Sequence, residues 1–134
     1  MIIDLVQWPA DLGRSTEIVG VPTVRDPDGL ALSSRNAYLT PAERAAAPSV
    51  HAALQAGRLA IEGGDRSAAS VEKVMADVIA AGSAAELDYV AVVDATTFGI
   101  PDPLVGRLRL LIAARFGSAR LIDNIGVDLA PVLA

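Results

Sequence analysis

Helix-type and strand-type patterns are segregated along this 134-residue chain, and that segregation constrains the fold more than any single motif. Between Thr40 and Ala81 apolar residues recur at helical spacing; from Leu87 to Val127 they fall in short β-type runs with no helix between them. Thr40-Pro41-Ala42-Glu43 is a helix start, with Thr40 as cap, Pro41 at the first helical position and Glu43 completing a capping box. This piece should end near Ala47, because Pro48 disfavours helical geometry in the residue before it. A second helix should run from Pro48 to about Ile61, burying Val50, Ala53, Leu54 and Ile61, with Gly63-Gly64 closing it. His51 on this helix reads as a surface or packing residue. A third helix is expected over Ser67 to Ala81, where Val71, Val74, Met75, Val78 and Ile79 form one amphipathic stripe. Strands are expected over Leu87 to Val93, Leu108 to Ala114 and Arg120 to Val127, with Phe116-Gly117-Ser118-Ala119 as a hairpin link. The fold class that follows is α+β: a helix-rich domain with a small three-stranded antiparallel sheet.

The N-terminal part fits this unit less well. Residues 2 to 12 could be the tail of a helix, broken or kinked at Pro9. Glu17 to Gly20, extending towards Val24, reads as a short strand on the β-formers Ile18, Val19, Val21 and Val24. No parallel partner with a crossover precedes it, so the expectation is that the chain starts inside a larger sheet-containing unit. An unpaired strand of this kind is expected either to pair or swap between copies, which makes a homodimer a candidate partner state, or to be disordered in a monomer.

Composition removes several function classes. A net charge of −5 and a pI near 4.7 argue against a nucleic-acid or anionic-membrane surface. The chain has no cysteine, which excludes a thiol nucleophile, a disulfide and Cys-ligated zinc; its single histidine makes a protein-only metal site a poor expectation. No apolar run reaches the roughly 20 residues of a membrane span, and the start lacks a basic signal-peptide region, so the expected location is cytoplasmic.

The chemistry concentrates in GVPTVRDPDGLALSSRNAYL, Gly20 to Leu39. Asp26-Pro27-Asp28-Gly29 is a turn signal inside a loop expected from Arg25 to Asn36. Ser33 and Ser34 can donate hydrogen bonds to phosphate oxygens, and Arg35 can grip two such oxygens at once. On residue chemistry alone, Ser-Ser-Arg in a loop is more often a solvated turn than a phosphate site.

The longer string resembles the pantothenate synthetase (pantoate–β-alanine ligase) family, in which an [ML]SSR segment takes the place of the KMSKS loop of related adenylate-forming enzymes. The likeness continues through Tyr38-Leu39-Thr40-Pro41-Ala42-Glu43-Arg44, Leu87-Asp88-Tyr89-Val90 and Arg120-Leu121-Ile122-Asp123-Asn124-Ile125. It implies that residues 1–36 are the end of an incomplete Rossmann-like nucleotide-binding domain, its last helix and strand plus the ATP loop, and that residues 37–134 are the C-terminal domain. It implies an ATP-dependent ligase that joins pantoate to β-alanine through a pantoyl adenylate, releasing pyrophosphate and AMP, with Mg2+ carried on ATP rather than held by a protein metal site. Val24, through its backbone, and Leu32, Ser33, Ser34 and Arg35 would contact ATP; Arg35 would also act catalytically by neutralising the departing pyrophosphate, with Arg25 as a helper. The family's HIGH-like motif with two histidines, its pantoate-binding glutamines and its glycine-rich segment with a Lys and an Asp have no counterpart here. The expected partner is therefore the missing N-terminal half. The rival readings are a non-catalytic interaction module or remnant descended from the same domain, and a nucleotidyltransferase relative using the same loop.

Overall fold

The computed structural model describes residues 17, 19–82 and 84–130. A 3-10 helix, Ser34–Tyr38, comes first, followed by α1 (Pro41–Ala46), α2 (Ser49–Glu62), α3 (Ala68–Ala81), β1 (Glu86–Asp94), β2 (Arg107–Phe116) and β3 (Ala119–Asp128). The strands form one antiparallel sheet in the order β1-β2-β3. The chain is α+β, as the segregated patterns require.

Local chemistry sets most helix boundaries. At α1 the Glu43 N–H donates to Thr40 Oγ1 at 3.2 Å, and the Thr40 N–H donates to Glu43 Oε2 at 2.9 Å. This reciprocal box satisfies two amides that would otherwise lack partners. Ser67 caps α3 in a simpler way, accepting from the Ser70 N–H at 3.3 Å. α2 begins directly after Pro48, whose ring fixes φ at −59°, and has no side-chain cap.

One face of the sheet packs against α2 and α3. From β2, Leu108, Leu110, Ile112, Ala114 and Phe116 alternate into the core. In register with Leu110 stand Val92 on β1 and Ile125 on β3. Opposite them lie Val50, Ala53, Leu54 and Ile61 of α2 and Val71, Met75 and Ile79 of α3. Val74 and Val78, also on the predicted stripe, are only half-buried at its margin. At Gly57 α2 packs closely: a Cβ there would lie 2.8 Å from Met75 Cγ and 2.9 Å from Leu110 Cδ2. The free edge of β1 is partly covered from α3, because the Val92 N–H donates to Glu72 Oε1 at 3.1 Å.

The strand expected over Glu17 to Val24 does not form. Residues 17 and 19–24 lie outside regular structure and are exposed. β-forming side chains do not make a strand without a ladder partner, and none among the described residues supplies one. The helix expected over residues 2 to 12, and Ile18, lie outside the described residues. The next segment is anchored. Arg25 and Ala31 form an isolated antiparallel bridge, and Leu30 enters the core.

Candidate functional site

The loop from Val24 to Asn36 begins as a small hairpin. The Leu32 N–H donates to the Val24 carbonyl at 2.9 Å, and the Asp26 N–H to the Leu30 carbonyl at 2.8 Å. Its tip is the Asp26-Pro27-Asp28-Gly29 turn, where the Gly29 N–H donates to the Asp26 carbonyl at 2.9 Å and Gly29 has φ +93°. Glycine alone adopts that backbone without strain. The turn also lies directly over His51 of α2, so that a Cβ on residue 29 would approach the imidazole Cδ2 to 2.6 Å.

Two arginines tether the hairpin. Arg44 of α1 donates to Asp28 at 2.7 Å and Asp26 at 3.0 Å. The Arg44 hydrogen bond, with help from the Leu30 N–H, holds the Asp28 carboxyl below its ordinary pKa of 3.8, and Asp28 in turn raises the Arg44 guanidinium. These groups are exposed to solvent, which screens the pair. The second tether is buried. Arg25 grips both carboxylate oxygens of Asp123 on β3, one at 2.9 Å, with side-chain exposures of 19% and 4%. Arg25 also donates to the Gly29 carbonyl at 3.1 Å and reaches the Asn124 carbonyl at 3.5 Å. Arg25, expected to help at phosphate, is engaged here with Asp123.

Beyond the hairpin the chain turns into the 3-10 helix. Ser33 caps it, its Oγ accepting from the Arg35 N–H at 3.2 Å. That bond uses an oxygen lone pair and leaves the hydroxyl proton free to donate. The Asn36 amide donates to the Ala31 carbonyl at 3.0 Å, while its Oδ1 is buried without a protein partner. Ser33, Ser34 and Arg35 themselves are exposed. Leu32, Ser33, Arg35 and Asn36 line one side of a cavity of about 280 Å³, with Arg120, Ile122 and Asn124 of β3 on the other. Val24 and Ser34 stand outside its lining. A larger recess of about 410 Å³ lies between Arg58 and Arg107, but those arginines face Glu62 and Asp128.

His51 packs as a half-buried residue beneath the loop. The Gln55 side-chain amide meets its Nε2 at 3.1 Å, and its Nδ1 is buried without a protein partner. Burial, then the positive Arg25, hold His51 below its ordinary pKa of 6.5, partly opposed by Asp123. No group of three or more His, Cys, Asp or Glu side chains capable of holding a metal occurs among the described residues. No helix among them is long and apolar enough to cross a membrane.

Sequence reasoning missed Asp123 and Asn36. The signal was present in Arg120-Leu121-Ile122-Asp123-Asn124-Ile125, where a carboxylate shares strand parity with Leu121 and Ile125. An acid on the inward parity of an apolar strand needs a cationic partner.

The family model described as Pantoate-beta-alanine ligase matches residues 2–126. The chain belongs to the pantoate–β-alanine ligase family. It is 49% identical over 119 residues to the pantothenate synthetase of Geobacillus kaustophilus, covering 89% of this chain and 40% of that protein. The pantothenate synthetase of Salinispora arenicola is 50% identical over 121 residues, covering 90% and 42%. The chain thus spans about two-fifths of the length of these curated relatives. A crystal structure of pantothenate synthetase from Thermus thermophilus superposes with a TM-score of 0.82 at 41% identity, covering 89% of this chain and 43% of that one. At 24% identity and a TM-score of 0.59, the pantoate-beta-alanine ligase of Francisella tularensis, solved with beta-gamma ATP and beta-alanine, shares the fold.

Proposed function

We propose that this chain is the C-terminal part of an ATP-dependent pantoate–β-alanine ligase, and that its loop closes on the nucleotide's phosphates. In this reading residues 1–36 complete the nucleotide-binding domain and residues 37–134 form the C-terminal domain. The observation that carries it is an exposed Leu32-Ser33-Ser34-Arg35 segment on an anchored hairpin, in a chain of this family. Tethered donors aimed at a site of developing negative charge need little reorganisation during reaction.

Each residue has a role its geometry suits. Ser33, its lone pair taken by the Arg35 N–H, offers its hydroxyl proton to a phosphate oxygen. Ser34 presents a second exposed hydroxyl. Arg35 offers a guanidinium fork to the pyrophosphate that leaves as pantoate is adenylated. The Val24 backbone and Leu32 flank the adenine. β-Alanine then attacks the adenylate, giving pantothenate and AMP. Mg2+ accompanies ATP, and this chain's residues hold it only through the nucleotide. The rest of the machinery, including the groups that bind pantoate, comes from the part of the ligase that the matched segment does not span. A homodimer and a cytoplasmic location belong to the same reading.

The test is reconstitution. Supplied with the nucleotide-binding portion of a relative, the chain should support AMP and pantothenate formation, and Arg35→Ala should abolish most of it. A chain that folds with that portion yet yields no product would favour the non-catalytic module.

A further inference from the structure

We infer that Asp123 is a positioning residue for the loop, acting on Arg35 through Arg25. This rests on the ligase reading above. Asp123 lies on β3, separated by 98 residues from the arginine it binds, and shares strand parity with Leu121 and Ile125. It is the buried charged residue among those described. A carboxylate in that position would be poorly solvated without Arg25, so the pair is an obligatory contact between sheet and loop.

A continuous set of bonds leads from β3 to Arg35. Asp123 accepts both prongs of the Arg25 guanidinium, and the Asn124 N–H at 2.7 Å further orients its Oδ1. Arg25 binds the Gly29 carbonyl at the hairpin tip, and it is held opposite Ala31 by the bonds on either side, Leu32 N–H to the Val24 carbonyl and Asp26 N–H to the Leu30 carbonyl. The Ala31 carbonyl accepts the Asn36 side-chain amide from within the 3-10 helix. Arg35 is the residue before Asn36, and its N–H is fixed by Ser33. The half-exposed Arg44 contacts hold the turn alone, through Asp26 and Asp28. The buried tether therefore sets where Ser33 and Arg35 stand relative to β3, and the Arg44 tether does not.

Three variants of the full chain test this: Asp123→Asn, Arg25→Lys and Arg44→Ala. Arg25→Lys keeps the buried carboxylate beside a cation while removing the two-pronged grip, so it serves if Asp123→Asn fails to fold. Backbone hydrogen exchange is the first readout. Loss of a charge-assisted bond predicts roughly tenfold faster exchange or more at Gly29, Leu32 and Asn36 in Asp123→Asn and Arg25→Lys, with the β2 amides unchanged. Arg44→Ala should alter Leu32 and Asn36 less than about twofold. In the reconstituted ligase the first two variants should lower kcat for adenylate formation about tenfold or more, leaving KM for β-alanine unchanged. Unaltered loop exchange in both folded variants would overturn the tether. Accelerated exchange with parental kcat would overturn its role in positioning. An inactive reconstituted parent would instead overturn the ligase reading and, with it, the catalytic part of this inference.

Discussion

Replacing Gly29 by alanine tests how the loop is seated on α2. The substitution acts through two separable effects. At φ +93° an L-residue is strained by roughly 1–2 kcal/mol. A Cβ placed 2.6 Å from His51 Cδ2 and 3.2 Å from Cγ also forces the ring or the turn to move. The ring is held by Gln55 and has a buried edge, so relief resembles overpacking, at about 1–3 kcal/mol. Against these costs, alanine reduces the freedom of the unfolded chain by about 0.4–1 kcal/mol. The net expectation is a destabilisation of about 2–4 kcal/mol, measured by urea unfolding of the full chain. Repeating the substitution in a His51→Ala background removes the collision and leaves the backbone effect, so the cost should fall to about 1 kcal/mol. Equal costs in both backgrounds would refute the claim that the turn rests on the imidazole.

Arg35, Thr40 and His51 give three further outcomes. In the reconstituted ligase, Arg35→Ala should slow adenylate formation by an amount equivalent to about 2–4 kcal/mol, with Arg35→Lys only partly restoring it; Thr40→Ala should cost about 1 kcal/mol of stability and leave that step alone, and equal rates for Arg35→Ala and the parent would reject the assignment. His51 has its folded pKa lowered, so the unfolded chain binds more protons as pH falls through 6.5. Stability should therefore decline from pH 6.5 down to the folded pKa and then lose this dependence, as protonation charges a half-buried ring and sets it beside Arg25, against the pull of Asp123. His51→Gln should remove that slope in urea titrations, and a slope unchanged in the variant would assign it to another group.

The features legible in the sequence are those decided by near neighbours. Thr40 and Glu43 are three residues apart and form their box as read. Val71, Met75 and Ile79 face the core because helical period alone fixes which side they share. The three strands appear where alternation and turn residues put them, one or two residues longer at most ends: β1 runs Glu86–Asp94 and β2 Arg107–Phe116. The features that were not legible depend on distant partners. Val19, Val21 and Val24 favour a strand, yet strand formation needs a ladder that none of the described residues supplies. The segment containing Ser34 was expected to remain loop, but Ser33 closes a cap on the Arg35 N–H and starts a 3-10 turn. The Ser33, Ser34 and Arg35 side chains were recognisable as phosphate-type donors. That Arg25 would be drawn to Asp123 was not, because only the packed sheet brings β3 beside the hairpin.

The central claim is tested most directly by a chimera in which this chain replaces the matching segment of the Geobacillus kaustophilus pantothenate synthetase, to which it is 49% identical. Given pantoate, β-alanine and Mg-ATP, the chimera should form pantothenate and AMP in equal amounts at about 1 per second or faster. The same chain alone should form none, and Arg35→Ala in the chimera should abolish most of the turnover. A folded chimera without product, or turnover of about 1 per second by the chain alone, would contradict the account.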